Sequence, residues 1–161
     1  MVKTMPWKLK LFIWVFIIWP VIAFGALFWY FYKISTPQKL TNISQITPII
    51  SLKFPKSAQV LDGETVFGPS ALYFIAKIKI PRSDLHQFLA QPLLNRGEGL
   101  SNEDIDFTEK NYPPIAKHGW EIDSIKKYLA GGLDGGPNTV FRIKIDLDHR
   151  DYVIVYLFYL N

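Results

Sequence analysis

The chain has 161 residues and no cysteine, which excludes disulfides, thiolate metal sites and cysteine nucleophiles. Its formal net charge of +4 comes from the first 39 residues, which hold five lysines and no acid, whereas residues 40–161 hold 13 bases and 14 acids. A nucleic-acid partner needs a basic face that displaces counterions, so the composition of the larger part argues against nucleic-acid binding.

Residues 1–10 form a basic tail with three lysines, and residues 11–32 are an apolar run without a charge. As a helix this run would be about 33 Å long, and the hydrocarbon core of a bilayer is about 30 Å thick. Tryptophan and tyrosine crowd both ends of the run, as in the aromatic belt of a spanning helix. The sequence therefore predicts a transmembrane helix that contacts the lipid bilayer from Leu11 to Tyr32.

Two other interpretations of the apolar run are a cleaved signal peptide and a buried helix of a soluble protein. A signal peptide has a shorter apolar core followed by small residues, whereas Phe28 to Tyr32 is bulky and aromatic. A buried helix is disfavoured because the run is long enough to span a bilayer. Lys3, Lys8 and Lys10 give a slight positive-inside bias, which predicts a cytoplasmic N-terminus and an extracytoplasmic C-terminal domain.

Residues 33–50 are predicted to be a linker, because Pro37 and Pro48 interrupt helix and polar residues dominate between them. Residues 51–161 are predicted to form one globular domain. In it, residues 58–61 are predicted to form a short strand that the turn dipeptide Asp62-Gly63 ends. The alternation over 71–80 indicates a second strand, which Pro81 ends. Leu85, Phe88 and Leu89 then have the spacing of the buried face of a helix.

The second half of the domain is less regular until its end. The sequence predicts short helices near 102–110 and from Asp123 or Ser124 to Leu129, then a glycine-rich loop over 131–136. Residues 140–147 and 152–160 are predicted to form a hairpin. Because the last strand is apolar on both faces, we expect it inside the sheet.

These elements predict an α+β fold: an N-terminal transmembrane helix, then a small domain in which one or two helices pack on an antiparallel sheet of about four strands. The sequence shows no internal repeat.

The side chains that could carry chemistry do not form a recognisable motif. His86, His118 and His149 are not spaced as metal ligands. A calcium loop starting at Asn102 fails, since Phe107 replaces its glycine and Pro113 its glutamate. We therefore assign no catalytic residue, no metal site and no cofactor.

An acidic set of side chains is the candidate surface for a protein partner, since acids steer basic partners towards them. Its members are Glu98, Glu103, Asp104, Asp106 and Glu109. The sequence thus favours a membrane-anchored, non-enzymatic binding module, with an immunity-type or inhibitor protein as one variety. The alternatives are an accessory subunit of an envelope or secretion membrane complex, and a small membrane-tethered hydrolase that pairs a histidine with a carboxylate.

Overall fold

A computed structural model describes residues 6–67, 72–95, 99–102, 113–134 and 139–161 of the chain. The chain divides into two compact units, Met1–Thr36 and Pro37–Asn161. The first contains an apolar helix and the second, called the body below, contains a sheet. The fold is therefore mixed α+β, as the sequence predicts.

The apolar segment is helical from Trp7 to Ser35. It consists of α1 (Trp7–Ile13), a π-helical turn (Trp14–Ile18) and α2 (Trp19–Ser35). The π-turn directly precedes Trp19 and Pro20, because proline cannot donate the backbone hydrogen bond of a regular turn and a wider turn relieves its ring. Among the described residues, Leu11–Lys33 is the one helix that is long and apolar enough to cross a membrane. A signal sequence near the N-terminus can have the same length and apolar composition.

The described part of the body contains six strands in one antiparallel sheet. They are β1 (Gln38–Lys39), β2 (Gln59–Phe67), β3 (Leu72–Pro81), β4 (Tyr128–Asp134), β5 (Val140–Asp146) and β6 (Tyr152–Leu160). Their order is β1-β2-β3-β6-β5-β4. The prediction of about four strands is wrong because β1 lies where we predicted a linker and β4 where we predicted a helix and a loop. The terminal strand β6 is central, between β3 and β5.

Strand β4 replaces the predicted helix and glycine loop because its backbone pairs with β5 along its whole length. A single turn of 3-10 helix, Ile122–Ser124, precedes it. On its other edge, Ala130 exchanges two backbone hydrogen bonds with Ser101, of 2.9 and 2.7 Å. A Cβ on the adjacent Gly131 would lie 2.9 Å from the carbonyl oxygen of Gly99. This glycine therefore admits a neighbouring backbone and does not make a loop.

The segment predicted as a linker contributes to the core. Leu40, Ile46 and Ile50 are buried there, and Asn42 and Gln45 form a reciprocal capping box around a 3-10 turn, Ile43–Gln45. These apolar side chains are spaced too irregularly to predict an element, yet together they cover one side of the sheet.

The two faces of the sheet differ in composition. We call the first the aliphatic face, since it is packed with apolar side chains from β3, β5 and β6 and from α3 (Leu85–Leu89), whose Phe88 is buried as predicted. The second, called the mixed face, combines apolar side chains with charged ones. Its apolar part is Ile75, Ile154, Tyr156 and Phe158 under Ile115, Trp120 and Ile122. The side chains of the candidate functional site lie on the mixed face.

Candidate functional site

A β-bulge on β2 turns two acids towards the mixed face. Val60 pairs with Ile78 but Asp62 pairs with Lys77, so Leu61 is an extra residue between them. The bulge changes the alternation of side chains, and Val60 packs with the aliphatic core whereas Asp62 and Glu64 lie on the opposite face. Asp62 and Glu64 are therefore the residues that β2 contributes to the candidate site.

Gly63, between the two acids, allows β2 to approach β3 closely. A Cβ at this position would lie 2.6 Å from the carbonyl oxygen of Ile75, a distance that real Cβ atoms do not reach. Its backbone φ of 156° is also unfavourable for residues with a side chain. A glycine is therefore required to hold Asp62 and Glu64 on this strand.

The partners of Asp62 lie in residues 113–125, which begin with α4 (Pro113–His118) and which we call the covering segment. The Oδ2 atom of Asp62 is 2.7 Å from Nδ1 of His118 and accepts a 2.9 Å hydrogen bond from the indole Nε1 of Trp120. The rings of His118 and Trp120 also pack together, with centroids 5.1 Å apart. One carboxylate thus fixes two aromatic side chains of the covering segment.

Glu64 makes a second set of contacts with the same segment. It is only 7% exposed, and its Oε1 accepts a 2.8 Å hydrogen bond from the hydroxyl of Tyr73. Its Oε2 is 3.3 Å from Nζ of Lys117 and 3.6 Å from Nε2 of His118. We call Asp62, Glu64, Lys117, His118 and Trp120 the acid–histidine cluster.

Burial and hydrogen bonding shift the pKa values of Asp62 and of Tyr73, whose hydroxyl contacts Glu64. Burial alone would raise the pKa of Asp62, but hydrogen bonds from Trp120, His118 and the Gly63 backbone outweigh it and lower that pKa. Burial, together with the adjacent Glu64 carboxylate, raises the pKa of Tyr73 to about 12. The structure therefore favours a charged Asp62 and a neutral Tyr73.

His118 has two ring nitrogens in different surroundings. Its Nε2 is buried and has no hydrogen-bond partner within the described ranges. An acid or base must reach the proton that it transfers, directly or through one water. Phe54 and Phe88 line a cavity of about 150 Å³, and Ile43 and Leu61 line an open groove of about 620 Å³. Neither of these two cavities is lined by a residue of the cluster. The contacts of the cluster attach the covering segment to the sheet.

The rest of the mixed face carries lysines against aromatic rings. Nζ of Lys79 lies 4.3 Å from the ring centre of Tyr152, and Nζ of Lys144 lies 4.4 Å from that of Tyr128. Burial, with the charges of Asp146 and Glu121, raises the pKa of Tyr156 to about 12. Charged and aromatic side chains here share buried space, and each cation lies over a π face.

The five acids predicted as a partner surface, at positions 98, 103, 104, 106 and 109, lie outside the described residues, as does the predicted helix near 102–110. Of the histidines, His86 is an exposed residue of α3 and His149 lies 3.4 Å from Asp146. Among the described residues, no three His, Asp or Glu side chains are placed to hold a metal ion.

Sequence reasoning missed the cluster because Asp62 and His118 are 56 positions apart. The one local signal was Asp62-Gly63, which we took for the end of a strand. In the structure this dipeptide lies within β2, directly after the bulge at Leu61.

Neither a protein-family model, nor a curated protein, nor a solved structure matches this chain.

Proposed function

We propose that the protein is a single-pass membrane-anchored binding module without catalytic activity, whose body recognises another protein at the membrane surface. The observation that carries the proposal is the apolar helix from Leu11 to Lys33, none of whose described side chains is buried. Exposed apolar helices of this length are stable in lipid and not in water. The helix continues to Ser35, and only Thr36 and Pro37 separate it from β1, the first strand of the body.

The acid–histidine cluster supports the non-enzymatic part of the proposal. Asp62 lies near one nitrogen of the His118 ring and Glu64 near the other, and the nitrogen nearer to Glu64 is buried. In a catalytic pair that nitrogen faces the reacting group. The geometry thus favours a role in holding the covering segment.

For the partner, we propose a basic protein that contacts the acidic set Glu98, Glu103, Asp104, Asp106 and Glu109. Acids increase the association rate of basic partners, and immunity-type proteins that neutralise a toxin can use such steering. The slight lysine bias before the helix supports an extracytoplasmic body and a cytoplasmic N-terminus.

Two other functions have an observation in their favour. An accessory subunit of a membrane complex would use the helix itself, whose exposed aromatic and aliphatic side chains can pack against other spans. A tethered hydrolase would use the 2.7 Å pair of His118 and Asp62. The second would require the covering segment to move so that Nε2 becomes accessible.

The test is affinity purification of the full chain in mild detergent from cells of its source. The test variant carries Glu103→Gln, Asp104→Asn, Asp106→Asn and Glu109→Gln, and the control carries the same kind of change at the exposed Asp123 and Asp151. We expect one soluble basic protein to be recovered with the wild type and the control, and to be lost at moderate salt from the test variant.

Two results would contradict the proposal. Recovery of a membrane complex that depends on the helix and not on the acids would favour the accessory subunit. Hydrolysis of a model ester that His118→Ala abolishes, while the fold is retained, would favour the hydrolase.

A further inference from the structure

The charged residues are distributed unevenly along the chain, which the net charge alone does not show. Residues 1–61 contain seven lysines and no acid, and the first acid of the chain is Asp62. From there to the end, 14 acids outnumber 11 bases. The start of the body, residues 37–61, is thus purely basic, and the rest of the body is net acidic.

The lysines of this basic part lie on two pieces of chain, the edge strand β1 and the segment that leads into β2. Lys39 belongs to the edge strand β1, and Lys53 and Lys56 lie in the segment that leads into β2. We call Lys39, Lys53 and Lys56 the basic rim. All three side chains are exposed, and none makes an ion pair with a residue in the described ranges.

The same edge exposes apolar side chains. In the described part of the body, the large apolar residues that are exposed are Leu61 and Phe67, at 47% and 42%, and both are on β2. Leu61 is the extra residue of the bulge, and it borders an open groove of about 620 Å³ together with Ile43, Phe54 and Lys56. Free lysines next to exposed apolar side chains are the combination that binds a lipid interface.

The covalent connection favours the membrane as the partner of this edge. Only Thr36 and Pro37 separate α2 from β1, and three peptide units span at most about 11 Å. In a chain anchored by this helix, the start of β1 therefore stays within about 11 Å of the end of α2. A protein partner would have to compete with the bilayer for this edge.

We propose that the basic rim and Leu61 form a docking surface for the anionic headgroups of the bilayer that holds the helix, and this inference rests on the membrane anchoring proposed above. Each lysine near an anionic surface contributes a factor of about five in binding. Docking leaves the net-acidic part of the body available to another protein.

The experiment uses the full chain in lipid nanodiscs and exploits the absence of native cysteine. A single Gln59→Cys change places a fluorophore beside the groove, and Ser124→Cys places it at an exposed turn outside this edge. Discs contain phosphatidylcholine alone or with one-third phosphatidylglycerol, and both contain a headgroup-linked quencher. We expect strong quenching at position 59 in the anionic discs only, and little at position 124.

A charge-neutralised variant provides the matched comparison. Lys39→Gln, Lys53→Gln and Lys56→Gln together should reduce the docked-to-undocked ratio about 100-fold, whereas Lys126→Gln, Lys127→Gln and Arg150→Gln should leave the quenching at position 59 unchanged. Equal quenching at positions 59 and 124, or equal quenching in neutral and anionic discs, would contradict the proposed docking surface. Neither result would contradict the membrane anchoring of the helix. Elution of the chain apart from the discs in high salt would overturn the anchor as well.

Discussion

The two faces of the sheet are stabilised by different means. On the aliphatic face, Phe74, Ile78 and Val155 are fully buried among other apolar side chains. On the mixed face, Glu64, Lys144 and Asp146 are buried as well, at 7%, 4% and 6% exposure. Apolar packing is nonspecific in direction, whereas a buried charge is tolerated only where its partners are placed correctly.

This difference separates two tasks within one body. The aliphatic face supplies most of the free energy of folding, because burial of apolar area is the dominant favourable contribution. The mixed face fixes how residues 113–125 lie on the sheet, since Asp62 and Glu64 contact Lys117, His118 and Trp120 there. Substitutions on the two faces should therefore have different consequences.

The largest effect is expected on the aliphatic face. Phe74→Ala removes a fully buried ring that stacks on Tyr159, and it should lower the free energy of unfolding by about 3–5 kcal/mol. Urea denaturation of the full chain in detergent, followed by tryptophan fluorescence, measures this change. Phe67→Ala, at a ring that is 42% exposed, is the control. Equal losses for the two variants would contradict the assignment of the core.

Gly63→Ala should have the next largest effect. The added methyl group would lie 2.6 Å from a backbone oxygen that cannot move without disturbing β3, and we expect a loss of about 2–3 kcal/mol. Gly25→Ala has no atom within 4 Å and serves as the control in the same urea experiment. A stability of Gly63→Ala equal to that of the wild type would show that β2 and β3 do not approach as closely as described.

Asp62→Ala tests the acid–histidine cluster itself. It leaves the Trp120 indole N–H and the His118 Nδ1 without their acceptor, and we expect a loss of about 1–2 kcal/mol. The loss should be accompanied by faster proteolysis of the covering segment and, in a chain whose other four tryptophans are replaced by phenylalanine, by a red shift of Trp120 emission. Asp123→Ala, at an exposed position, should change neither. An unchanged emission spectrum in Asp62→Ala would mean that this carboxylate does not hold the segment.

The pH dependence should follow from the lowered pKa of Asp62. Because the folded state binds this proton less readily than the unfolded state, Asp62 contributes stability above its ordinary value of 3.8, and the contribution is lost as the pH falls through the folded-state pKa. As the pH falls from above 3.8 through the lower folded-state pKa, the wild type should therefore lose more stability than Asp62→Asn. The difference should be smaller than the effect of Asp62→Ala, and parallel curves would rule out the assignment.

The smallest effect is expected for Lys117→Ala. The Lys117 side chain is 63% exposed, so solvent screens its 3.3 Å contact with Glu64. Exposed ion pairs contribute about 0.2–1 kcal/mol, and high salt should remove the difference from the wild type. A loss above that of Asp62→Ala would mean that Lys117, and not Asp62, secures the covering segment.

The aliphatic face was partly predictable from the sequence and the mixed face was not. Alternation along β3 and β5, and the apolar run of β6, indicated three strands because side-chain period determines which face is buried. Gly131 and Gly132 were predicted to lie in a loop but belong to β4. The sequence does not distinguish a glycine in a loop from a strand glycine that a neighbouring backbone approaches closely. The cluster required both a bulge at Leu61 and a contact between positions 62 and 118, and neither leaves a local pattern.

The most direct test of the account asks whether the helix from Leu11 to Lys33 stays in the protein and in the membrane. Membranes that contain the expressed chain are extracted with alkaline carbonate, and both fractions are analysed by intact mass. We predict that the chain remains in the pellet with its full mass of 18.6 kDa. A shortened chain that lacks the helix, or a full-length chain in the supernatant, would contradict membrane anchoring.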